Sequence, residues 1–200
     1  MKRVFALTMG LLIGAAVAVG TQSSAQADGS IPCWSRTDAL SYTYTARWED
    51  YDWGGGWWND NNVRDTSAHE GPDCSGLTFK SWAMVNSAGN TGRYYWSIGT
   101  DIHGPYNSTA FRNGCSGACY DVCGSGTGSA CGSSSYTLTI AGDAFAKSGH
   151  VAIIYAESSA GWDWFINAAG ESYGIQKQKR DYRMQTAYDG IRRMNWSAAC

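Results

Sequence analysis

Residues 149–155 of this chain are GHVAIIY, and this stretch carries the clearest secondary-structure signal in the sequence. A short run of β-branched and aromatic residues bounded by glycine favours a β-strand. A second run of this kind follows at residues 162–168, and the intervening residues 157–161, ESSAG, are typical of a turn. The two strands are therefore predicted to form an antiparallel hairpin.

One helical pattern precedes this hairpin. Residues 75–87 have apolar side chains on more than one side, which predicts a buried helix. Asp73 stands at the expected N-cap, and Gly89 stands at the expected C-terminal stop. A closing strand is expected within residues 188–196. A helix-led half packed on an antiparallel sheet indicates the α+β class.

The first 27 residues have the features of a secretory signal peptide. Lys2 and Arg3 precede an apolar run at residues 4–20, and a polar stretch then ends in small residues at 25–27, AQA. A membrane anchor is the alternative, but the run is short and rich in Gly and Ala. We therefore expect cleavage after Ala27, which leaves residues 28–200 as a single secreted, monomeric domain without a membrane segment.

Composition limits the function classes. A chain of 200 residues with 44% hydrophobic residues can form one domain with a substantial core. Its formal net charge of -2 gives no indication of a nucleic-acid partner.

The seven cysteines are interpreted in the light of export. Thiols tend to pair outside the cytosol, and an odd number leaves at least one cysteine without an intrachain partner. Residues 90–135 lack a sustained period and are predicted to be a Cys-rich insertion stapled by disulfides, with a zinc site as the less favoured alternative. Chain ends often lie close together, so a bridge between the first and last cysteines would tie down both termini. The sequence leaves about 15 pairings open for the six cysteines expected to pair: Cys33, Cys115, Cys119, Cys123, Cys131 and Cys200.

Cys74 is the remaining cysteine and is a candidate nucleophile. It lies at the predicted helix N-terminus, where the dipole and a nearby imidazolium would stabilise a thiolate. Of the three histidines, His69 and His103 lie in loops, whereas His150 begins the strongest strand and is the best candidate base. The structural alternatives are a disulfide-bonded Cys74 and a His150 that only packs in the sheet.

The predicted hairpin supplies a third side chain. If its turn centres on residues 159–160, paired residue numbers sum to about 319, which makes His150 and Asn167 near-opposite or diagonal neighbours. The Asn167 side-chain carbonyl can then accept from one ring nitrogen and leave the other for Cys74. Glu171 is a weaker candidate because it lies past the predicted strand end.

Several segments, in chain order, resemble motifs of the NlpC-type family of cell-wall cysteine peptidases. They are YDWGG at 51–55, DCSGL at 73–77, GD at 142–143, GHVAI at 149–153, FINAA at 165–169 and GIRR at 190–193. The resemblance implies a papain-like fold and hydrolysis of peptidoglycan stem peptides next to a D-glutamyl residue, without a metal or cofactor. It also implies that Cys74 is the nucleophile, His150 the base and Asn167 the orienting residue.

The same resemblance implies substrate contacts at Tyr51, Asp73 and Ser75. Asp73 would either receive a free amine of the stem peptide or only cap the helix, and the sequence leaves both roles open. Two other functions also remain open. One is a Cys-His amidase or acyltransferase acting on another amide or ester. The other is a non-catalytic wall-binding protein that stacks sugars on the rings of Trp53, Trp57 and Trp58.

Overall fold

The computed structural model describes residues 33–58, 70–84, 106–124, 130–132, 138–158 and 161–198. The predicted signal peptide, His69, Gly89 and His103 lie outside these ranges. The described α-helices are α1 (Arg36–Thr45), α2 (Cys74–Ser81) and α3 (Ser108–Arg112). The described strands are β1 (Cys119–Cys123), β2 (Ala144–Lys147), β3 (His150–Ala156), β4 (Asp163–Ala168), β5 (Ile175–Arg180) and β6 (Asp189–Arg193). None of the helices in these ranges has the length and apolar character that crossing a bilayer requires.

The six strands form one antiparallel sheet in the order β1-β6-β2-β3-β4-β5. With its helices, this sheet confirms the predicted α+β class. The predicted hairpin is β3 and β4, in which Ile153 pairs with Ile166 and Ile154 pairs with Phe165. Both pairs have the predicted sum of about 319, and the register shifts by one at Ala156, which lies opposite Trp164. The predicted turn residues 159–160 lie outside the described ranges.

Side-chain alternation divides the core between the two faces of the sheet. On one face, Val151 and Ile153 pack with the α2 side chains Leu77 and Phe79. The opposite face carries a second cluster, which consists of Phe145, Ala152, Ile154, Phe165, Tyr182 and Tyr188. The start of β3 therefore lies between a helix-covered face and an aromatic face.

The beginning of α2 is fixed by its N-cap and by close backbone packing. One carboxylate oxygen of Asp73 accepts from the backbone N–H of Gly76 at 2.7 Å, as the N-cap prediction requires. The Asp73 N–H donates to the Gly55 carbonyl at 2.9 Å. A Cβ at Gly76 would collide with that same carbonyl, so only glycine lets the loop approach the helix this closely. This packing holds residues 51–58 against the helix end that carries Cys74.

The end of α2 differs from the prediction. The helix stops at Ser81 instead of continuing to residue 87, because Ala83 adopts a left-handed conformation with φ of 48°. Tertiary contacts hold the chain there. The Trp82 indole N–H donates to the Gly142 carbonyl at 2.9 Å, and the Arg193 guanidinium donates to the Trp82 carbonyl. These contacts link positions far apart in the sequence, so helical periodicity does not reveal them.

The Cys-rich segment contains regular structure that the sequence does not predict. Residues 106–124 include α3 and β1, and β1 pairs with β6 at one edge of the sheet. The helix and the strand add to the predicted disulfide-linked insertion, for which the sequence indicated no regular element. Each element has five residues, which is too short for a helical or strand period to stand out.

The expected disulfides are present. Cys115 bonds to Cys119, and Cys123 bonds to Cys131. Cys33 is also disulfide-bonded. Cys200, the other member of the bridge that would tie down both termini, lies outside the described ranges. A backbone bridge between Trp34 and Trp196 draws the two ends of the described chain together.

Candidate active site

Cys74 is the first residue of α2, is 8% exposed and has a free thiol. Burial and then the Asp73 charge raise its pKa from 9.0 to about 11. The backbone amides of Val151, Ser75 and Cys74 itself act in the opposite direction. Burial and the Asp73 charge therefore outweigh the lowering of the Cys74 pKa that its place at the helix N-terminus predicts. The sulfur is protonated at neutral pH.

His150 begins β3 and turns its ring towards the aromatic face of the sheet. The imidazole packs edge-on against Tyr182 and Tyr188, with ring centroids 5.8 and 6.3 Å away. Burial lowers the pKa of His150 to about 4; interaction with Asn167 opposes this change, and the charges of Lys147 and Arg180 add to it. The imidazole is therefore a neutral base at pH 7.

Asn167 lies on β4 and is fully buried beside His150. Its amide raises the pKa of the imidazole. Its Nδ2 also donates to the Tyr182 hydroxyl at 3.3 Å. Among the described residues, neither Oδ1 of Asn167 nor Nε2 of His150 completes a hydrogen bond of normal geometry. His150 and Asn167 are therefore neighbours, as the sequence predicts, and each of these two atoms can still form a hydrogen bond.

The two halves of the site meet at Val151 and Tyr188. A hydrogen-bond interaction with the Val151 backbone lowers the pKa of Cys74, and Val151 directly follows His150 in the chain. The Cys74 charge contributes to the raised pKa of Tyr188, which burial dominates. Tyr188 also contacts the His150 ring. No hydrogen bond joins the described Cys74 and His150 side chains, and the raised pKa of Cys74 together with the lowered pKa of His150 disfavours a thiolate–imidazolium pair.

Two functional candidates escape sequence reasoning. Tyr182 and Tyr188 stack on each other with ring centroids 4.4 Å apart, and both contact His150. They belong to none of the motifs quoted above. The only sequence signal is that Tyr182 precedes the predicted closing strand and Tyr188 is the first residue of it.

The three predicted substrate contacts lie around the start of α2. Tyr51 is buried, and burial raises its pKa, with further contributions from the Cys74 and Asp73 charges. Besides Gly76, the Asp73 carboxylate accepts from the Ser75 hydroxyl at 2.9 Å and from the Gly54 N–H at 3.2 Å. Asp73 thus caps the helix and orients Ser75; its contact with a substrate amine stays a prediction.

The tryptophans of the wall-binding alternative do not form one surface. Trp53 is 80% exposed, whereas Trp58 is buried, stacks on Tyr42 and donates from its indole to the Thr45 hydroxyl. Trp58 is a core residue and is not available to stack on a sugar.

Metal-ligating side chains do not cluster in the described part of the chain. No group of three or more His, Cys, Asp and Glu residues there could hold a metal ion. The four cysteines in the 115–131 stretch are in disulfides, which removes the thiolates that the zinc alternative needs.

Similarity to known proteins adds nothing to this geometry. No protein-family model, curated protein or solved structure matches the chain. The chemistry of the site therefore depends on what Cys74, His150 and Asn167 can do in this fold.

Proposed function

We propose that this chain is a secreted, papain-like cysteine peptidase that hydrolyses peptide bonds in peptidoglycan stem peptides. The observation that carries the proposal is a free, buried thiol at a helix N-terminus, packed against the start of β3, where His150 lies beside Asn167 of the neighbouring strand β4. Structural cysteines in an oxidising compartment are usually paired, and five of the six described cysteines are. The unpaired thiol of Cys74 interacts with Val151 and Tyr188, which are neighbours of His150. This placement favours a nucleophile over a side chain that only packs in the core.

The reaction begins with attack of the Cys74 sulfur on the scissile carbonyl carbon. The thiol proton moves to His150, and the collapse of the tetrahedral intermediate forms a thioester while His150 gives that proton to the leaving amine. Water then attacks the thioester, His150 accepts its proton, and the acid product leaves with regeneration of the thiol. The Asn167 amide holds the ring orientation throughout.

Proton transfer in this mechanism accompanies the attack. The pKa of Cys74 is above neutrality and that of His150 is below it, so a thiolate–imidazolium pair is disfavoured in the free protein. A bound substrate changes this balance, because the thiol proton moves to His150 as the carbon–sulfur bond forms and no free thiolate is required. The backbone N–H of Cys74, at the first position of α2, is suited to stabilise the developing oxyanion.

Secretion and substrate class have separate support. The disulfides favour an oxidising compartment. The stem-peptide substrate and the bond next to D-glutamate are proposed on the resemblance of the DCSGL and GHVAI segments to the NlpC-type motifs.

The test is a digest of intact muropeptides by the secreted protein, followed by mass spectrometry. We expect new amine and acid ends at a stem-peptide bond, loss of cleavage in Cys74→Ala and His150→Ala, and retained cleavage in the matched surface variant Trp162→Ala. Cleavage by Cys74→Ala at the wild-type rate would remove Cys74 from the mechanism. A wild-type protein that transfers the acyl group to an added amine without hydrolysis would instead support the acyltransferase alternative.

A further inference from the structure

A concave surface is lined by none of the candidate active-site residues. It is a cleft of about 410 Å³ between the end of α1 and the start of β5. We name it the aromatic cleft and define it by Tyr44, Arg47, Trp48, Tyr173, Gln176 and Lys177. Its volume is in the range of small-molecule sites in proteins.

Two aromatic rings of the aromatic cleft are largely open to water. Trp48 is 53% exposed and Tyr173 is 61% exposed. Large rings gathered at a concave surface are typical of binding sites, because each offers a rigid apolar face at a low entropic cost. Such a face matches the C–H face of a pyranose ring, whose hydroxyls then point to polar neighbours such as Gln176.

The cleft also holds two cations that are packed against aromatic rings. The Arg47 guanidinium lies 3.8 Å from the Tyr44 ring centroid and 4.8 Å from that of Trp48. The Lys177 ammonium lies 4.3 Å from the Tyr155 ring centroid. Among the described residues, neither cation forms an ion pair with a carboxylate. Both are held by aromatic rings in positions where a ligand carboxylate can reach them.

Glu49 also lines the cleft, but its side chain is buried. Lys177 is exposed and Arg47 is partly exposed, so these two cations give the open side of the cleft a positive character.

We infer that the aromatic cleft binds a carboxylate-bearing sugar, with the pyranose stacked on Trp48 or Tyr173 and the carboxylate between Arg47 and Lys177. This site goes beyond the proposed peptidase function and does not depend on it. It would hold an acidic glycan on the protein surface while Cys74 remains free to act elsewhere.

Isothermal titration calorimetry on the full secreted chain tests the inference with two matched pairs of sugars. One pair is trigalacturonate and neutral chitotriose; the other is N-acetylmuramic acid and N-acetylglucosamine, which differ by the lactyl carboxylate. We expect the acidic member of at least one pair to bind about tenfold more tightly than the neutral member, and 0.5 M salt to weaken that binding. Preference within the first pair only indicates a uronic-acid polymer, and within the second only a wall sugar.

Variants then locate the site. Trp48→Ala and Lys177→Gln should each weaken acidic-sugar binding about tenfold or more, whereas the matched controls Trp162→Ala and Lys179→Gln should not. Cys74→Ala should bind like the wild type, which separates this result from any failure of the peptidase proposal. Equal affinity for acidic and neutral sugars, no binding of either, or binding unaffected by the two cleft variants would overturn the inference.

Discussion

The protonation state of Cys74 can be tested by changing the pH. With a pKa of about 11, the thiolate fraction is about one in ten thousand at pH 7, roughly a hundredfold below that of an ordinary thiol with a pKa of 9.0. Alkylation requires the thiolate. The rate constant for labelling Cys74 should therefore rise about tenfold per pH unit between pH 6 and pH 10, without a plateau. The slope is diagnostic because burial slows labelling at every pH alike.

The assay is reaction with iodoacetamide at fixed excess, followed by intact-mass spectrometry, with circular dichroism to verify folding at each pH. Cys74→Ser measures the background from other nucleophiles. His150→Ala should leave the slope unchanged, because a ring with a pKa of about 4 stays neutral over this whole range. A labelling plateau that begins below pH 7 and disappears in His150→Ala would demonstrate a preformed thiolate–imidazolium pair and refute this account of the resting site.

Two further predictions concern stability. Asp163→Asn should lower the free energy of unfolding by about 3–5 kcal/mol in urea denaturation, because it removes the buried carboxylate charge that lies 2.9 Å from the fully buried Arg183 guanidinium. The control Asp181→Asn, which alters a part-buried hydrogen bond from the Gln185 amide and no buried ion pair among the described residues, should cost about 1 kcal/mol or less, and similar losses in both would contradict the buried-pair argument. Because the pKa of folded His150 is below its unfolded value, the unfolded state binds more protons between pH 6.5 and about 4, and stability falls as pH falls through that window. Wild type should thus lose about 2 kcal/mol more than His150→Gln between pH 7 and pH 5, and equal losses would place the imidazole in a less buried setting.

Local patterns were sufficient for several parts of the fold. The Asp73 N-cap follows from its own side chain and the next three residues, and the β3–β4 register follows from the turn position because pairing in a hairpin is a local property. β5 was not predicted, since its sequence IQKQKR has apolar character only at Ile175. As an edge strand it needs no second apolar neighbour, and its pairing with β4 is what makes it a strand.

For the candidate site, the sequence by itself determined which residue types are present, where α2 begins, and that His150 and Asn167 are neighbours. Only the tertiary structure decided their chemical state. The pKa values of Cys74 and His150 depend chiefly on burial, which is the sum of contacts from the loop, the helix and both faces of the sheet. The contacts of Tyr182 and Tyr188 with His150 arise in the same way, because residues about 30 to 40 positions apart meet only when the sheet is formed.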